Sequence, residues 1–461
     1  MSASREKKTR QERGGDYISP KEQKAREAQA ANRRTTSIFA VSVAVFILFV
    51  IFLFVWNTGV IQRNAEAVSV NGEKFTAGDL SYYYYSARSS MLSNNSNLID
   101  SSTSLRKQTY IDGEQTWFDY LSGVAVENLS RNAVLKQAAE AAGFNADDKA
   151  EQDVSDALES LENAASTYGY TVSQYLTGLY GPLMTKDVFE RNVRMAAIAE
   201  AYQASLSGAE NYSEADLAAK RDASPDSFAM VNYEYALFTA NSEEENGLET
   251  ALANAESAVS RYQEGESLEA VAEELGASYS AATAYSGSSE MSEWLFDDAR
   301  KDGDTTVIDY YSSGSILLLF HSKEQADFHT VSVRHILVED EATANDLLSQ
   351  WKSGEATEDS FAQLARENST DNADDGGLYT GVYRGQMVKS FEDWCFDPSR
   401  QPGDTGVVQT DYGYHVMYFV EQSPNAYWQE LAAAQLGSEQ VSEMADSAAT
   451  ETLSGIRYID K

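Results

Sequence analysis

An internal repeat constrains the architecture of this chain more than any other feature of its sequence. The segment WLFDDARKDGDTTV, which begins at Trp294, returns as WCFDPSRQPGDTGV, which begins at Trp394. The offset is 394 − 294 = 100 residues, and the two segments share eight of their fourteen residues. About one hundred residues is a common size for a compact domain. We therefore predict that one domain occurs twice in tandem.

The periodicity of apolar residues predicts the same elements in the same order around both segments. In the first copy, a strand-like alternation at 228–238 is followed by two helical patterns, the repeated segment and a strand at 314–320. In the second copy, a strand at 331–338 is followed by two helical patterns, the repeated segment and a strand at 413–420. This order predicts an α+β fold class, with a first domain at 226–326 and a second at 327–423.

Residues 58–225 have mainly helical periodicity, and we predict that they form a separate helical module. It opens with a short strand and an Asn71-Gly72 turn. Thr76 and Asp79 then have the spacing of a capping box, which predicts the start of a helix. The last residues, 424–461, are also helical and amphipathic in pattern. We expect them to pack back on this module, which would make it discontinuous.

Four consecutive tyrosines, Tyr82 to Tyr85, follow the predicted helix start. A helix has 3.6 residues per turn, so four residues in a row cover all of its faces. We therefore predict that some of these rings are exposed to solvent or contact a client polypeptide.

A long apolar run precedes the helical module. Residues 38–56, IFAVSVAVFILFVIFLFVW, contain only Ser42 as a polar residue, and this length is about that needed to cross a hydrocarbon core of roughly 30 Å. We predict a transmembrane helix at 37–57. The polar tail before it, 1–36, is expected to be disordered, and its ten Lys/Arg against five Asp/Glu predict a cytoplasmic location. The bulk of the chain would then be extracytoplasmic, anchored to the cell membrane by a single helix.

The composition argues against several classes of function. The chain has 72 acidic and 35 basic residues, a formal net charge of -37, which repels phosphate backbones, so we expect no nucleic-acid partner. Its single cysteine, Cys395, excludes an internal disulfide framework and is interpreted as a buried, unreactive thiol between Trp394 and Phe396. The four histidines lack the spacing of a metal motif. We therefore predict neither a metal site nor a cofactor.

Five spaced motifs in the second copy resemble those of parvulin-type peptidyl-prolyl isomerases. They are VRHILV, FAQLAREN, the pair GG, RGQMVKSFED and TDYGYHV, and they span residues 331–421. The complete layout is similar to that of the extracytoplasmic foldases of the PrsA and SurA kind, although over the helical module this similarity rests mainly on VSVNGEKFT. The resemblance implies that the second copy isomerises X-Pro bonds without a cofactor, and that unfolded or nascent secreted polypeptides are its partners.

The resemblance also implies a set of site residues. The residues that match the family's catalytic polar groups are His335, Asp371 and His415. Those that match its substrate-binding positions are Leu378, Met387 and Phe391 as an apolar seat for the proline ring, Thr410 as a hydrogen-bond partner of the histidines, and Tyr412 at the rim. Each has an alternative: Met387 and Phe391 as ordinary core, the histidines as a structural pair, and Asp371 as a solvated loop carboxylate.

Isomerisation needs no covalent chemistry. Amide resonance imposes a barrier of roughly 18–20 kcal/mol, and a catalyst must favour the twisted amide over both planar forms. A dry pocket helps because it disfavours the charge-separated resonance form of the planar amide. The loop here reads GGLYTGVY from Gly376, where the family usually has GG-D-L-G, so we expect the shape of the pocket and the rate to differ from those of the family more than the fold does.

The first copy lacks these polar groups. With the offset of 100 residues, His335 falls on Tyr235, and with a one-residue gap His415 falls on Ile316. The section that would hold the acid and the glycine pair is shortened to ASYSAATAYSGSSEMSE. We therefore predict a binding or spacer role for this copy. The leading hypothesis is a membrane-anchored foldase with one active isomerase domain, and the alternative is a non-catalytic chaperone or scaffold in which both copies only bind.

Overall fold

The computed structural model describes residues 19–26, 41–50, 58–94, 98–100, 103–111 and 113–460. The chain divides into two compact units, one formed by Met1–Tyr202 with Glu443–Lys461 and the other by Gln203–Ser442. Each unit is described by itself below. The mixed α+β class is confirmed, because one unit is mainly helical and the other contains two four-stranded sheets with helices.

The predicted tail at 1–36 and transmembrane helix at 37–57 lie largely outside the described residues. What is described there is helical, at 20–26 (α1) and 41–50 (α2). Among the helices of the described ranges, none combines the length and the apolar character needed to cross a membrane.

The first unit joins the two ends of the chain in one small sheet. Its strands are β1 (Glu66–Val70), β2 (Glu73–Thr76) and β11 (Thr450–Thr452), in the order β11-β1-β2, with both neighbours antiparallel to β1. The predicted turn between β1 and β2 is confirmed. Asn71 and Gly72 have φ of 51° and 87°, the left-handed conformation that a tight two-residue hairpin requires.

Helices make up the rest of the first unit. They are α3 (Val60–Arg63), α4 (Ala77–Asn94), α5 (Trp117–Ala142), α6 (Asp147–Thr167), α7 (Val172–Tyr180) and α8 (Lys186–Leu206), with short 3₁₀ turns at Leu105–Lys107 and Ser454–Tyr458. The predicted capping box starts α4, because Thr76 N donates to Asp79 Oδ2 at 2.9 Å and Asp79 N donates to Thr76 Oγ1 at 3.2 Å. Helix α5 ends at Gly143, which is left-handed with φ of 66°.

The tyrosine run in α4 is largely packed within its own unit, and two of its four rings keep part of their surface exposed to solvent, as the sequence predicted. Tyr83 and Tyr84 are 5% and 0% exposed, and Tyr82 and Tyr85 are only partly exposed. The Tyr82 ring stacks on Tyr180 with a centroid distance of 5.1 Å. Burial raises the pKa of Tyr82 to about 12. The rings cover every face of α4 as expected, but neighbouring helices and β strands of the same unit surround most of that surface.

The second unit contains both copies of the repeat. Helix α9 (Glu214–Ala223) and short 3₁₀ turns at Ala209–Asn211 and Pro225–Phe228 precede them. The first copy comprises β3 (Ala229–Thr239), α10 (Gly247–Gln263), α11 (Leu268–Glu274), β4 (Ser278–Tyr285), α12 (Glu290–Phe296), β5 (Thr305–Asp309) and β6 (Gly314–Gln325). The second comprises β7 (His329–Val338), α13 (Glu341–Ser353), α14 (Glu358–Asn368), β8 (Leu378–Val382), α15 (Lys389–Cys395), β9 (Thr405–Thr410) and β10 (Gly413–Ala426), followed by α16 (Tyr427–Asp446).

The two copies have the same topology, which confirms the repeat as a structural unit. Their sheets have the orders β4-β3-β6-β5 and β8-β7-β10-β9. In the first copy Ile308 pairs with Ile316, and in the second Val408 pairs with His415, so the one-residue gap lies in the hairpin loop between these strands. The sequence analysis missed β4, which it interpreted only as a shortened section.

Apolar residues cover both faces of the second sheet. One face packs Val333, Met417 and Phe419 against Phe391 and Trp394, and the other packs against α13 and α14 through residues such as Phe361. The interpretation of Cys395 as a buried thiol is confirmed. Burial raises the pKa of this thiol to about 12, so it stays protonated and unreactive at neutral pH.

Candidate functional site

Two buried histidines meet at the centre of the second sheet. On β7 and β10, His335 pairs with Met417 and His415 pairs with Leu337, so the two histidines are diagonal neighbours on one face. Their Nδ1 atoms lie 3.0 Å apart, and their rings stack with a centroid distance of 5.2 Å. One Nδ1 must donate and the other must accept, because two protonated nitrogens would repel each other at this distance.

Burial keeps both imidazoles neutral. Burial lowers the pKa of His335 to about 4. The neighbouring His415 lowers this pKa further, and the charge of Asp371 acts in the opposite direction. The pKa of His415 is also lowered by burial, again opposed by Asp371. At neutral pH the pair therefore carries no charge, although it lies in the middle of a sheet that otherwise buries apolar side chains.

The partners at each end of the pair define a direction for its hydrogen bonds. His335 Nε2 is buried and lies 3.6 Å from Asp371 Oδ2, and Thr410 Oγ1 lies 2.9 Å from His415 Nε2. A carboxylate oxygen accepts but cannot donate, so we assign the His335 proton to Nε2. His415 Nδ1 then donates to His335 Nδ1, and the Thr410 hydroxyl donates to His415 Nε2. The hydrogen-bonded chain thus runs from Thr410 through both rings and ends at His335, whose buried Nε2 has no hydrogen-bond partner among the described residues and lies 3.6 Å from the Asp371 carboxylate.

Asp371 is held in place by its own loop. The Tyr379 hydroxyl donates to Asp371 Oδ2 at 3.0 Å, and Asp371 N donates to Ser369 Oγ at 3.2 Å. Its side chain is 46% exposed, so the carboxylate faces both the histidine and solvent. These hydrogen bonds fix the position of Asp371, while one side of its carboxylate stays accessible to solvent.

The glycine pair brings this loop against β7. Gly377 has φ of 70°, and a Cβ there would lie only 2.0 Å from the carbonyl oxygen of His335. His335 N donates to the carbonyl oxygen of Gly377 at 2.9 Å. Only glycine allows this approach, which seats the loop beside the buried histidine.

Apolar and aromatic side chains line the same face of the sheet. Phe391 is buried and meets both imidazoles edge to face, with centroid distances of 5.7 Å to His335 and 5.3 Å to His415. Met387 is partly buried against the same cluster, and the Tyr379 ring stacks on His335 with a centroid distance of 5.0 Å. These side chains form a dry seat next to a polar chain, which we call the proline seat and define as Tyr379, Met387 and Phe391.

Most of the predicted site residues lie together, but Leu378 lies on the other face of the sheet. His335, Asp371, Met387, Phe391, Thr410 and His415 form the group described above. Leu378 pairs with Arg334 and lies on the opposite face of the sheet from Tyr379. The side chain of Tyr412 is 73% exposed in the β9–β10 hairpin, and only its backbone N–H reaches the site, as a donor to Thr410 Oγ1 at 3.1 Å.

Tyr379 is the site residue that the sequence analysis missed. Val331 pairs with Val382 and Val333 pairs with Tyr379, so β8 has one more residue than β7 between these pairs. This bulge, at Thr380 and Gly381, shifts the alternation and places Tyr379 rather than Leu378 on the seat side. The sequence signal that could have indicated a bulge was a glycine within the strand, Gly381. In the structure this glycine is left-handed, with φ of 62°.

No arrangement suited to a metal ion accompanies these groups. Within the described ranges, no three His, Cys, Asp or Glu side chains are grouped so that they could hold one. The site consists of an apolar seat, a neutral histidine pair and one accessible carboxylate.

Comparisons with known proteins show what the second copy is similar to. Residues 315–423 match the profile described as the PPIC-type PPIASE domain. Foldase protein PrsA 1 of Listeria innocua is 38% identical over 119 residues, which are 24% of this chain and 39% of that protein. A probable parvulin-type peptidyl-prolyl cis-trans isomerase of Bordetella bronchiseptica is 38% identical over 104 residues, 22% of this chain and 39% of that protein.

The resemblance predicted for the second copy is therefore confirmed as a match to the PPIC-type PPIASE domain. The chain spans about two-fifths (39%) of the length of these curated relatives. Among solved structures, PrsA from Bacillus subtilis aligns over 77% of this chain and 90% of its own, with 14% identity and a TM-score of 0.27. A score this low does not establish a common overall arrangement.

Proposed function

We propose that the second copy catalyses cis/trans isomerisation of X-Pro bonds in unfolded polypeptides. The observation that carries this proposal is the proline seat itself, an apolar and aromatic surface next to a buried histidine pair that has no charge at neutral pH. A proline ring is apolar and planar enough to pack between Phe391 and Met387. The bond preceding it would then lie beside Asp371.

The mechanism follows from what stabilises a planar amide. Resonance places partial negative charge on the carbonyl oxygen, and twisting the bond removes that charge. A carboxylate close to this oxygen raises the energy of the planar forms relative to the twisted form. The dry seat acts in the same direction, because little water is present to solvate the planar dipole. Each difference of about 1.4 kcal/mol between the two forms changes the rate tenfold.

The neutrality of the histidine pair matters for this mechanism. A charged imidazole at the floor of the seat would attract water and would pair with Asp371. Held neutral, the pair leaves the charge of the Asp371 carboxylate uncancelled, while Tyr379 and the loop hold that carboxylate in position.

The cellular role extends this proposal. The apolar run at 38–56, the basic tail before it and the similarity to PrsA foldases support a membrane-anchored, extracytoplasmic foldase. Its partners would be unfolded secreted polypeptides, bound by a helical module at 58–225 closed by 424–461 and isomerised by the domain at 327–423. The degenerate domain at 226–326 would bind or support without catalysing.

A refolding assay tests the proposal. The full chain, reconstituted in nanodiscs, should accelerate the proline-limited phase of a model protein's refolding and the isomerisation of an X-Pro peptide. Suppressed aggregation without acceleration of either reaction would favour the second candidate, a non-catalytic chaperone. One observation favours a non-catalytic role for the first copy alone. In that copy, Tyr235 and Ile316 occupy the places of the two histidines.

A further inference from the structure

A large cavity lies between the two copies of the repeat, inside the second unit. Its volume is about 630 Å³, within the range of roughly 300–1,000 Å³ typical of ligand sites. The first copy contributes residues from β3, β4 and β6, and the second contributes the loop before α15 and the first turns of that helix.

The cavity borders the proline seat at Met387. Met387 belongs to both, since it packs on the apolar cluster under the seat and also lines the cavity. A polypeptide with its proline in the seat extends at most about 3.3–3.6 Å per residue. Its next residues on the Met387 side would therefore be within reach of the cavity.

The first copy supports the loop that carries Met387. The Tyr285 hydroxyl donates to the carbonyl oxygen of Arg384 at 2.7 Å, and the Tyr285 ring meets Tyr383 edge to face at 5.4 Å. Gly385 packs so closely on Thr283 of β4 that a Cβ there would lie 2.8 Å from the Thr283 carbonyl oxygen. Strand β4, at the edge of the first copy's sheet, thus forms one wall of the cavity and supports the loop that carries Met387.

The lining of the cavity has an excess of negative charge. Four carboxylates line it, those of Glu234, Glu324, Glu392 and Asp393, against the basic side chains of Arg384 and Lys389 and the imidazole of His321. Lys389 is already paired with Asp393 at 2.6 Å. In the described part of the chain, Glu324 and Glu392 form no ion pair with a cation; they accept hydrogen bonds from Asn232 at 2.8 Å and from Gly385 N at 2.5 Å.

We propose that this cavity binds the stretch of client polypeptide next to the isomerised proline, and that it prefers a stretch that carries a lysine or arginine. The proposal rests on the proposed isomerase function of the second copy. Glu324 and Glu392 are the groups that would pair with the basic side chain, and Tyr233 and Tyr235 offer aromatic surface beside them. A copy without its own catalytic groups is then retained because it completes the substrate site of its neighbour.

The test compares peptides that do and do not reach the cavity. The full chain would be assayed with a blocked tetrapeptide containing one proline, and with two decapeptides that differ only in Lys or Glu beyond the proline. The wild type should have a higher kcat/KM for the Lys peptide than for the Glu peptide, by roughly two- to fivefold, the effect of one solvated ion pair. The preference should fade at 1 M salt, where the Debye length is about 3 Å.

Two pairs of variants assign the effect to the cavity. Glu324→Gln should remove most of the Lys preference, whereas Glu256→Gln, on the exposed face of α10 and outside the cavity, should keep it. Ala281→Trp, which fills the cavity from an exposed position on β4, should lower the rate with decapeptides relative to the tetrapeptide. Ala253→Trp, also exposed but on α10, is the control of matched bulk.

The outcomes separate this proposal from the one on which it rests. Equal rates with the Lys and Glu peptides, or a Glu324→Gln variant that keeps the preference, would overturn the subsite while leaving the isomerase in place. An Ala281→Trp variant that lowers the rate equally with all three peptides would also overturn it, because the cavity would then only support the loop. Absence of acceleration with every peptide would reject the isomerase function, and fluorescence anisotropy of the labelled Lys and Glu peptides would still decide whether the cavity binds.

Discussion

The Nδ1 atoms of His335 and His415 lie 3.0 Å apart in the middle of the second sheet, and burial lowers the pKa of both rings. A pair of this kind is stable only while one nitrogen keeps a lone pair. The site therefore depends on two imidazoles that must stay neutral. Acid should lower the stability of this domain and disturb the geometry of the site.

The first prediction concerns pH. Because the pKa of His335 falls from 6.5 to about 4 on folding, the unfolded chain binds this proton more readily below pH 6.5, and stability should fall as the pH drops from 6.5 towards 4. Between pH 7 and 5.5 the cost should be about 1 kcal/mol. Hydrogen exchange of amides in β7 and β10 measures it locally in the full chain.

The matched control for this effect is His335→Gln, which cannot titrate but keeps a polar side chain. Its β7 and β10 amides should lose less protection over the same pH interval. Identical losses in the wild type and the variant would show that other groups, not this pair, carry the acid sensitivity.

The second prediction concerns the proline seat. Phe391→Leu should lower kcat/KM with an X-Pro peptide by tenfold or more, which corresponds to about 1.4 kcal/mol. The substitution removes the ring that contacts both histidines and reduces the apolar contact area available to the proline ring. Phe361→Leu is the control, since Phe361 is equally buried but packs on the opposite face of the sheet. Both variants should lose comparable stability, and only the first should lose its rate. Equal rates in the two variants would contradict the placement of the seat.

The third prediction concerns the carboxylate. Asp371→Asn removes the negative charge but keeps the shape, so kcat should fall by about tenfold with little change in thermal stability. Asp375→Asn, an exposed carboxylate of the same loop, should behave as the wild type. Tyr379→Phe, which removes the hydrogen bond to Asp371 Oδ2, should give an intermediate rate. If Asp371→Asn keeps the full rate, this acid is only a solvated loop residue.

The fourth prediction separates two neighbouring residues of β8. Tyr379→Ala should lower the rate severalfold, because its ring stacks on His335. Leu378→Ala should affect the rate less, since Leu378 lies on the other face opposite Arg334. Steady-state rates of both purified variants, with circular dichroism to confirm folding, decide the matter. A larger loss in Leu378→Ala would restore the sequence-based assignment.

The fifth prediction concerns the proposed anchoring. External protease applied to intact cells should remove epitope tags placed after residue 57 and should spare a tag placed before residue 36, as the basic tail and the apolar run at 38–56 indicate. Lysed cells provide the control in which both tags are accessible. Protection of the tag at the C-terminal end in intact cells would reverse the proposed orientation.

Several features could be predicted because neighbouring residues determine them. The capping box of Thr76 and Asp79 and the Asn71-Gly72 hairpin are contacts within three residues, so the local sequence specifies them. The repeat could be recognised because both copies bury the same faces of the same strands and helices. The placement of His335 and His415 on one face follows from strand alternation, which holds wherever a strand is regular.

The remaining features depend on partners that are distant in sequence. The bulge in β8 is defined by its pairing with β7. Because of this bulge, Tyr379 lies at the seat instead of Leu378, which the sequence predicted there. Which rings of the tyrosine run are buried depends on packing partners such as Tyr180, which lie about a hundred residues further along the chain. By itself the sequence determined which copy carries the polar groups and the proline seat, because those side chains are present or absent. Only the tertiary structure decided which of them touch, how far burial shifts the histidine pKa values, and that the first copy forms a wall of the cavity beside Met387, because these depend on surfaces brought together by folding.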